Sequence, residues 1–147
     1  MRIYLETPVA GTPPDIIRRF DLDLFEALAP PGTPVEIVRF DGSETGDTVH
    51  IRLKLAGFWK QDWISKISDH GSTPERAWFV DEGTQLPFFL GYWRHQHIVE
   101  ARDGHSVIID DITYRGPFFL LTWLLYPALY LQFAWRRPIY RRIFGAV

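Results

Sequence analysis

The sequence has no cysteine among its 147 residues, which excludes disulfide bonds and thiolate metal sites. It has no basic stripe outside a carboxy-terminal group of arginines, and its net charge is −2, which argues against nucleic acid as the main partner. Neither a glycine-rich phosphate loop nor the G-x-S-x-G motif of serine hydrolases occurs. The first residues lack the charged-then-apolar layout of a secretory signal, so we expect a cytoplasmic protein.

Nothing in the chain marks a domain boundary, since it contains neither an internal repeat nor a low-complexity linker. We therefore expect a single domain over residues 1–147, large enough to bury a substantial core. Aromatic residues make up 16% of the chain. Rings in such numbers either fill a wide core or line a cavity for an apolar guest.

The first two thirds of the chain show patterns of short helices and strands. Residues 2–7 alternate as a first strand, and Thr12 and Asp21 are placed to cap two short helices, the second of which stops at Pro30-Pro31-Gly32. Gly83 and Pro87 are assigned to a loop. Further strands are predicted over residues 35–40, 48–55, 61–68, 76–81, 88–100 and 105–115. Their short connections indicate an antiparallel sheet.

The segment from residue 117 to 144 is the most apolar part of the chain. Between residues 117 and 135 only Thr122 and Gln132 are polar, and the run is close to the ~20 residues of a membrane-spanning helix. We expect instead that protein wraps it on most sides, because the strands before it can supply a concave apolar face to be covered. Pro127 and Pro138 predict a bent helix or two consecutive helices.

The last two predicted strands bring ionisable side chains to one face of a hairpin. That face carries Trp93, His95, His97, Asp110, Ile112 and Tyr114. If residues 101–104 form the loop, His95 lies opposite Asp110, whereas a two-residue turn at residues 103–104 places His97 opposite Asp110. Asp81 can join the same face from the preceding strand. Either alignment pairs a carboxylate with a histidine.

Three interpretations of this pairing are open. It is a satisfied polar pair inside an apolar wall, the polar end of an apolar ligand pocket, or a metal-binding or general acid–base pair. The spacing of His95 and His97 permits two metal ligands on one strand. The sequence does not indicate a third ligand, so neither a metal site nor a cofactor is predicted.

The order of elements resembles that of the helix-grip proteins, the START, polyketide-cyclase and pollen-allergen superfamily called SRPBCC. The resemblance covers essentially the whole chain and is closer to the bacterial ligand-binding SRPBCC proteins. It implies an α+β fold in which a curved antiparallel sheet of about six to seven strands wraps around a long C-terminal helix, with two short helices after the first strand. The residues that carry it are Phe79-Val80-Asp81, Leu86-Pro87-Phe88, Trp93-Arg94-His95-Gln96-His97, Ile109-Asp110, Tyr114, Pro117, Phe133 and Arg136-Arg137.

The resemblance also implies a cavity between the sheet and the C-terminal helix. Members of the superfamily carry lipids, sterols, quinones or polyketides, and some catalyse cyclisation or dehydration. For this chain the first hypothesis is binding or carriage of a small hydrophobic or amphipathic molecule without catalysis. The residues expected to bind it are Leu53, Trp63, Phe79, Asp81, Trp93, His95, His97, Asp110, Ile112, Tyr114, Trp123, Tyr126 and Tyr130.

Two other functions are compatible with the sequence. The protein could be a cyclase or aromatase in which His95, His97 and Asp110 transfer protons on a bound polyketone. It could instead be a membrane-surface or protein-interaction module, and exposed rings on the apolar helix would equally suit a homodimer. The basic residues expected at the membrane contact are Arg136, Arg137, Arg141 and Arg142.

Overall fold

The computed structural model describes residues 1–29, 35–55 and 58–147. Those residues form one sheet of seven strands, β1 (Arg2–Val9), β2 (Val35–Phe40), β3 (Thr48–Leu55), β4 (Trp59–Ser72), β5 (Arg76–Gln85), β6 (Tyr92–Arg102) and β7 (His105–Arg115). They also contain helices α1 (Pro13–Ile17), α2 (Leu22–Leu28), α3 (Phe119–Ala134) and α4 (Arg136–Phe144). The strand order is β1-β7-β6-β5-β4-β3-β2, and all neighbours are antiparallel. The predicted α+β architecture is confirmed.

Side-chain caps begin both short helices, as the sequence predicts. Thr12 Oγ1 accepts a hydrogen bond at 3.4 Å from the backbone N–H three residues further along, and Asp21 Oδ1 accepts the equivalent bond at 3.0 Å. Each cap satisfies a backbone donor that has no partner within its helix. The predicted stop at Pro30-Pro31-Gly32 lies outside the described residues.

The strands β2, β3 and β7 have the predicted bounds, whereas β4 and β5 are longer than predicted. β5 includes Gly83, which the sequence assigns to a loop. Two bulges interrupt the pairing of β4 with β5, after Ile64 and after Ile67, and let both strands continue while they bend. The strand expected from residue 88 begins at Tyr92, because the N–H of Leu90 donates to the carbonyl of Pro87 at 3.0 Å and closes a turn.

A two-residue turn joins β6 to β7. Asp103 and Gly104 both have positive φ, 49° and 85°, as a tight hairpin turn requires. Arg102 consequently pairs with His105, and the register continues along both strands. The alignment with the tight turn, rather than the one with a four-residue loop, is the one that the protein adopts.

Two apolar clusters form most of the core between the sheet and the helices. The first surrounds α1, α2 and α4 and includes Phe20, Leu24, Phe79, Val99, Ile108 and Tyr140. The second lies under α3 and includes Leu5, Trp93, Ile112, Tyr114, Leu129 and Phe133. On β6 and β7, His95, His97 and Asp110 occupy the positions between these clusters. A polar group therefore sits at the junction of two apolar ones.

The C-terminal segment is a bent pair of helices that meet at Trp135. Pro127 lies inside α3, and Pro138 lies in the first turn of α4. A proline cannot donate to the carbonyl four residues earlier, and its ring clashes with that carbonyl. For Pro138 this residue is Ala134, where α3 ends, so the bent pair of helices that the sequence predicts is confirmed.

The expectation that protein wraps α3 on most sides is wrong. Thr122, Leu129 and Phe133 are its buried residues, whereas Phe119 is 78% exposed and Leu131 is 67% exposed. The helix packs mainly against β1, β7 and α4, so it covers one side of the sheet and leaves space over the other strands. Among the described residues, no helix has both the length and the apolar character needed to cross a bilayer.

Candidate functional site

A cavity of about 500 Å³ lies between α2, the second half of α3 and strands β2 to β6. Its walls are mainly apolar and include Leu24, Ile51, Leu53, Trp63, Phe79, Phe89, Trp93, Leu129 and Phe133. Its polar lining includes Ser65, Asp81, His95, His97, Gln132 and Arg136. A large apolar surface with a few polar groups is the usual composition of a small-molecule site.

The structure places the predicted ligand-binding residues in three locations. The cavity lining includes Leu53, Trp63, Phe79, Asp81, Trp93, His95 and His97. The residues buried in the core rather than in the lining are Asp110, Ile112 and Tyr114. On α3, Trp123 and Tyr130 are exposed, and the half-buried Tyr126 stacks on Tyr130 with ring centres 6.0 Å apart. The sheet therefore supplies the part of the predicted lining that is present, and the three predicted residues of α3 do not contribute to it.

The polar cluster is built from diagonal contacts between strands. The register places His97 opposite Asp110, yet it is His95 whose Nε2 lies 2.9 Å from Asp110 Oδ1. His97 Nε2 instead lies 2.8 Å from Asp81 Oδ2 on the neighbouring strand β5. His95 Nδ1 is 3.8 Å from that same Asp81 oxygen. The two imidazoles therefore link three strands through two carboxylates.

Packing fixes the orientation of both histidine rings. The ring centres of His95 and His97 are 3.6 Å apart, and the His97 ring stacks on Phe79 at 4.1 Å. Phe133 of α3 meets the His95 ring edge-on at 5.1 Å. Trp93 Nε1 donates to the second oxygen of Asp81 at 3.1 Å. The cluster is thus held by both core clusters as well as by its own hydrogen bonds.

Burial determines the charge states in the cluster. It lowers the pKa of His97 to about 4, an effect to which the nearby His95 adds and which the hydrogen bond to Asp81 only partly opposes. His97 is therefore a neutral imidazole at neutral pH. Burial alone would raise the pKa of Asp81, but the hydrogen bond from His97 and the electrostatic effect of the nearby His95 ring outweigh it and hold that pKa below its ordinary value.

The same balance applies to Asp110. Burial again opposes ionisation, yet the hydrogen bond with His95 and the nearby Arg136 hold the Asp110 pKa below its ordinary value. Both carboxyl groups of the cluster are consequently charged at neutral pH. Beside them, burial and the Asp110 carboxylate raise the pKa of the Tyr140 hydroxyl, which remains neutral.

Arg136 belongs to the cavity and not to the outer surface. The sequence assigns it to a membrane contact, but its side chain is only 12% exposed and its Nη1 lies 3.9 Å from Asp110 Oδ1. Its guanidinium also lies over the Phe133 ring, 4.4 Å from the ring centre. By contrast, Arg141 and Arg142 are exposed. Only these later arginines can serve the surface role predicted for all four.

Sequence reasoning missed part of the lining. Leu129, Gln132, Phe133 and Arg136 line the cavity, and their spacing of three or four residues is the signal that could have identified one helix face. The apolar side of α2 also lines the cavity. Its pattern predicts a buried face, but no sequence signal distinguishes a cavity wall from a filled core.

No family model matches the sequence, and no curated protein matches it. Solved structures do match. The aromatase/cyclase ZhuI from Streptomyces sp. R1128 is 16% identical, with 100% of this chain and 99% of that one covered at a TM-score of 0.64. Truncated norcoclaurine synthase from Thalictrum flavum is also 16% identical, with coverages of 100% and 95% and a TM-score of 0.65.

A third similar structure is protein CV1439 from Chromobacterium violaceum. It is 13% identical, covers 99% of this chain and 98% of its own, and gives a TM-score of 0.68. At such identities the likeness concerns the fold, which these proteins share over their full length. The antiparallel sheet, the two short helices and the bent C-terminal helix of this chain form the helix-grip fold that the resemblance implies.

Proposed function

We propose that the protein binds a small hydrophobic or amphipathic molecule in the cavity between the sheet and the C-terminal helices. The observation that carries this proposal is an apolar cavity of about 500 Å³ with a buried cluster of histidine and aspartate in its lining. That volume lies within the range of roughly 300–1,000 Å³ typical of ligand sites. The apolar walls would supply affinity, and the polar cluster would fix the orientation of the guest.

The polar lining also indicates the kind of guest. Asp81, His95, His97, Gln132 and Arg136 offer both donors and acceptors at the cavity surface. A purely hydrocarbon guest would leave unused the hydrogen-bonding capacity that these groups do not already use within the protein, which costs free energy in a buried site. An amphipathic guest with an oxygen-bearing end is therefore favoured over a plain hydrocarbon.

Two of the similar structures are enzymes by name, an aromatase/cyclase and norcoclaurine synthase. The cyclase alternative for this chain would use the same His95, His97 and Asp110. Binding requires only the cavity. Catalysis also requires side chains arranged for a particular reaction, and the contacts of these residues do not indicate one. Catalysis in this chain stays a prediction.

The test compares two leucine-to-tryptophan variants. Leu53 lines the cavity, so Leu53→Trp should fill it and lower the affinity for the fluorescent fatty acid cis-parinaric acid at least tenfold. Leu131→Trp adds the same ring on the outer side of α3, where the leucine is 67% exposed, and should leave the affinity unchanged. Native mass spectrometry of the freshly purified protein would identify a guest retained from the host cell. Equal affinities of the two variants would contradict binding in this cavity.

A second function, contact with a membrane surface, is favoured by the exposed side of α3. We define the α3 stripe by its large exposed residues, each at least 43% exposed: Phe119, Leu120, Trp123, Leu124, Leu131 and Trp135. Spacings near three and four residues place them along one side of the helix, away from Thr122, Leu129 and Phe133. Contiguous apolar surface of this kind marks a contact with a partner or with lipid.

We propose that the α3 stripe rests on an anionic lipid surface. No acidic residue follows Asp111 in the sequence, whereas Arg115, Arg141 and Arg142 are exposed. In a homodimer joined stripe to stripe, arginines at the helix ends would face arginines without a carboxylate from this segment. Anionic headgroups would offset the same charge, and the apolar rings would enter the interface between headgroups and acyl chains.

Vesicle flotation tests this contact. We expect the protein to float with vesicles of phosphatidylglycerol and phosphatidylcholine, and the Leu120→Gln/Leu124→Gln double variant to remain in the soluble fraction. Leu22→Gln, on the exposed side of α2, is the matched control and should float normally. Flotation of the double variant would contradict the proposal. A dimer that the double variant converts to a monomer would assign the stripe to a second copy of the chain.

A further inference from the structure

Three side chains in the cavity lining direct donor atoms into one small space. Asp81 Oδ2 lies 2.8 Å from His97 Nε2 and 3.8 Å from His95 Nδ1, and each of the three side chains offers one ligand atom within 4.8 Å of the other two. Zinc bonds of roughly 2.0–2.1 Å in a tetrahedral site separate ligand atoms by roughly 3.3–3.4 Å. The two distances bracket that value. Small side-chain rotations, together with a shift of the His97 proton from Nε2 to Nδ1, would therefore admit an ion.

Hydrogen bonds with neighbouring residues already orient two of these side chains. The Nε2–H of His95 donates to Asp110 at 2.9 Å, which leaves its Nδ1 as the atom available for coordination. Trp93 Nε1 donates a hydrogen bond to Asp81 Oδ1 at 3.1 Å. The other carboxylate oxygen, Oδ2, is the one that faces the two histidines. Hydrogen bonds of this kind, above all a carboxylate on a ligating histidine, are regular companions of metal ligands and fix their orientation.

The charge of the cluster is also suited to a cation. Asp81 and Asp110 bring two carboxylates into the protein, and the Arg136 guanidinium lies 3.9 Å from Asp110. Uncompensated buried charge is unfavourable, and a divalent ion at the three donor atoms would offset it. Because all three side chains line the cavity, an ion held by them would keep open coordination positions towards a guest.

We propose that Asp81, His95 and His97 bind a divalent transition-metal ion, with zinc as the best match to two imidazoles and one carboxylate. Asp110 is a positioning residue that holds His95 for coordination. The sequence does not predict this site because it shows two histidines without a third ligand. Asp81 becomes the third only through the pairing of β5 with β6. The proposal goes beyond guest binding and does not depend on it.

The test is a titration of untagged, chelator-treated protein with zinc chloride, followed by isothermal titration calorimetry. We expect one zinc ion per chain and at least a tenfold loss of affinity in His95→Gln and in His97→Gln. Asp110→Asn should weaken zinc binding by roughly 10- to 100-fold, as expected for a group that orients a ligand. The control is His50→Gln, because the half-buried His50 lies 3.0 Å from Asp62 and belongs to no group of three such ligands among the described residues. It should bind zinc as the unaltered protein does.

Cobalt supplies a spectroscopic readout that does not depend on comparing the zinc affinities of the variants. Co²⁺ bound by two imidazoles and a carboxylate should give visible absorption in the unaltered protein, and His50→Gln should give the same spectrum. Less than one zinc per chain, saturation only at millimolar zinc, or equal losses in His50→Gln and His97→Gln would overturn the proposal. Binding of cis-parinaric acid measured in chelator separates the two ideas, since guest binding can fail while zinc binding succeeds, and the reverse.

Discussion

Arg102 joins two strands at the surface through a single carboxylate. Its Nη1 and Nη2 each lie 2.9 Å from an oxygen of Glu6, so β6 and β1 are held by a two-pronged ion pair. This hydrogen bonding holds the pKa of Glu6 below its ordinary value. Because the folded-state pKa lies below the unfolded one, the pair stabilises the fold above the unfolded pKa. That contribution is lost as the pH falls through the folded pKa.

We therefore expect Arg102→Gln to lower the free energy of unfolding slightly at pH 7 and to have a smaller effect at pH 3. The effect at neutral pH should be small because both partners are more than one third exposed and solvent screens the pair. Urea denaturation at the two pH values measures it. A loss of stability that grows as the pH falls would show that Arg102 acts through something other than this carboxylate.

At the scale of single residues, the sequence predicts which side chains share a face but not which of them touch. The alternation along β6 and β7 places His95, His97 and Asp110 on the inner face, and both register alternatives bring a histidine to Asp110. The hydrogen bond to His95 is diagonal, and it depends on side-chain torsions that no spacing rule contains. The inward turn of Arg136 was missed because a run of arginines more often marks a solvated helix end.

At the scale of elements, the two sides of α3 contribute very different amounts to the free energy of unfolding. Phe133 is 4% exposed and packs against Trp93 and His95, with ring centres 5.9 and 5.1 Å away, whereas Phe119 is 78% exposed. We expect Phe133→Ala to lower the free energy of unfolding by about 3–5 kcal/mol, because it leaves a cavity in the core. Phe119→Ala should change it by less than about 0.5 kcal/mol, as exposed positions do.

Chemical denaturation of both variants checks this difference between the two sides. The same substitution in the same helix controls for helix propensity, so the difference reports burial alone. Similar losses in the two variants would mean that a partner or a second copy of the chain buries the outer side of α3.

The extents of the elements were predictable where the pattern was simple. β3 alternates cleanly, and the turn residues Asp41-Gly42 and Asp103-Gly104 mark where β2 ends and where β7 begins. The lengths of β4 and β5 depend on two bulges, after Ile64 and after Ile67, which shift the alternation. The outer side of α3 could not be predicted either, because an apolar helix reads the same whether protein or lipid covers it.

For the whole molecule, the element order was sufficient for the fold, and the cavity needed the structure. A sheet that closes fully over its helix and one that leaves about 500 Å³ of space can share the same pattern of apolar residues. The difference lies in where α3 rests. It packs mainly on β1, β7 and α4, and the strands on the far side of the sheet are left to face the cavity.

The two-residue turn at Asp103 and Gly104 also limits which insertions this hairpin can tolerate. Inserting one codon there would reverse the side of the sheet to which each later residue of β7 points, unless a bulge absorbed it. Asp110 would leave the histidines although no residue of the cluster had changed. We therefore expect selection to preserve the length of this hairpin as strictly as the histidines themselves, because the length of the turn sets which residues of β7 face the site.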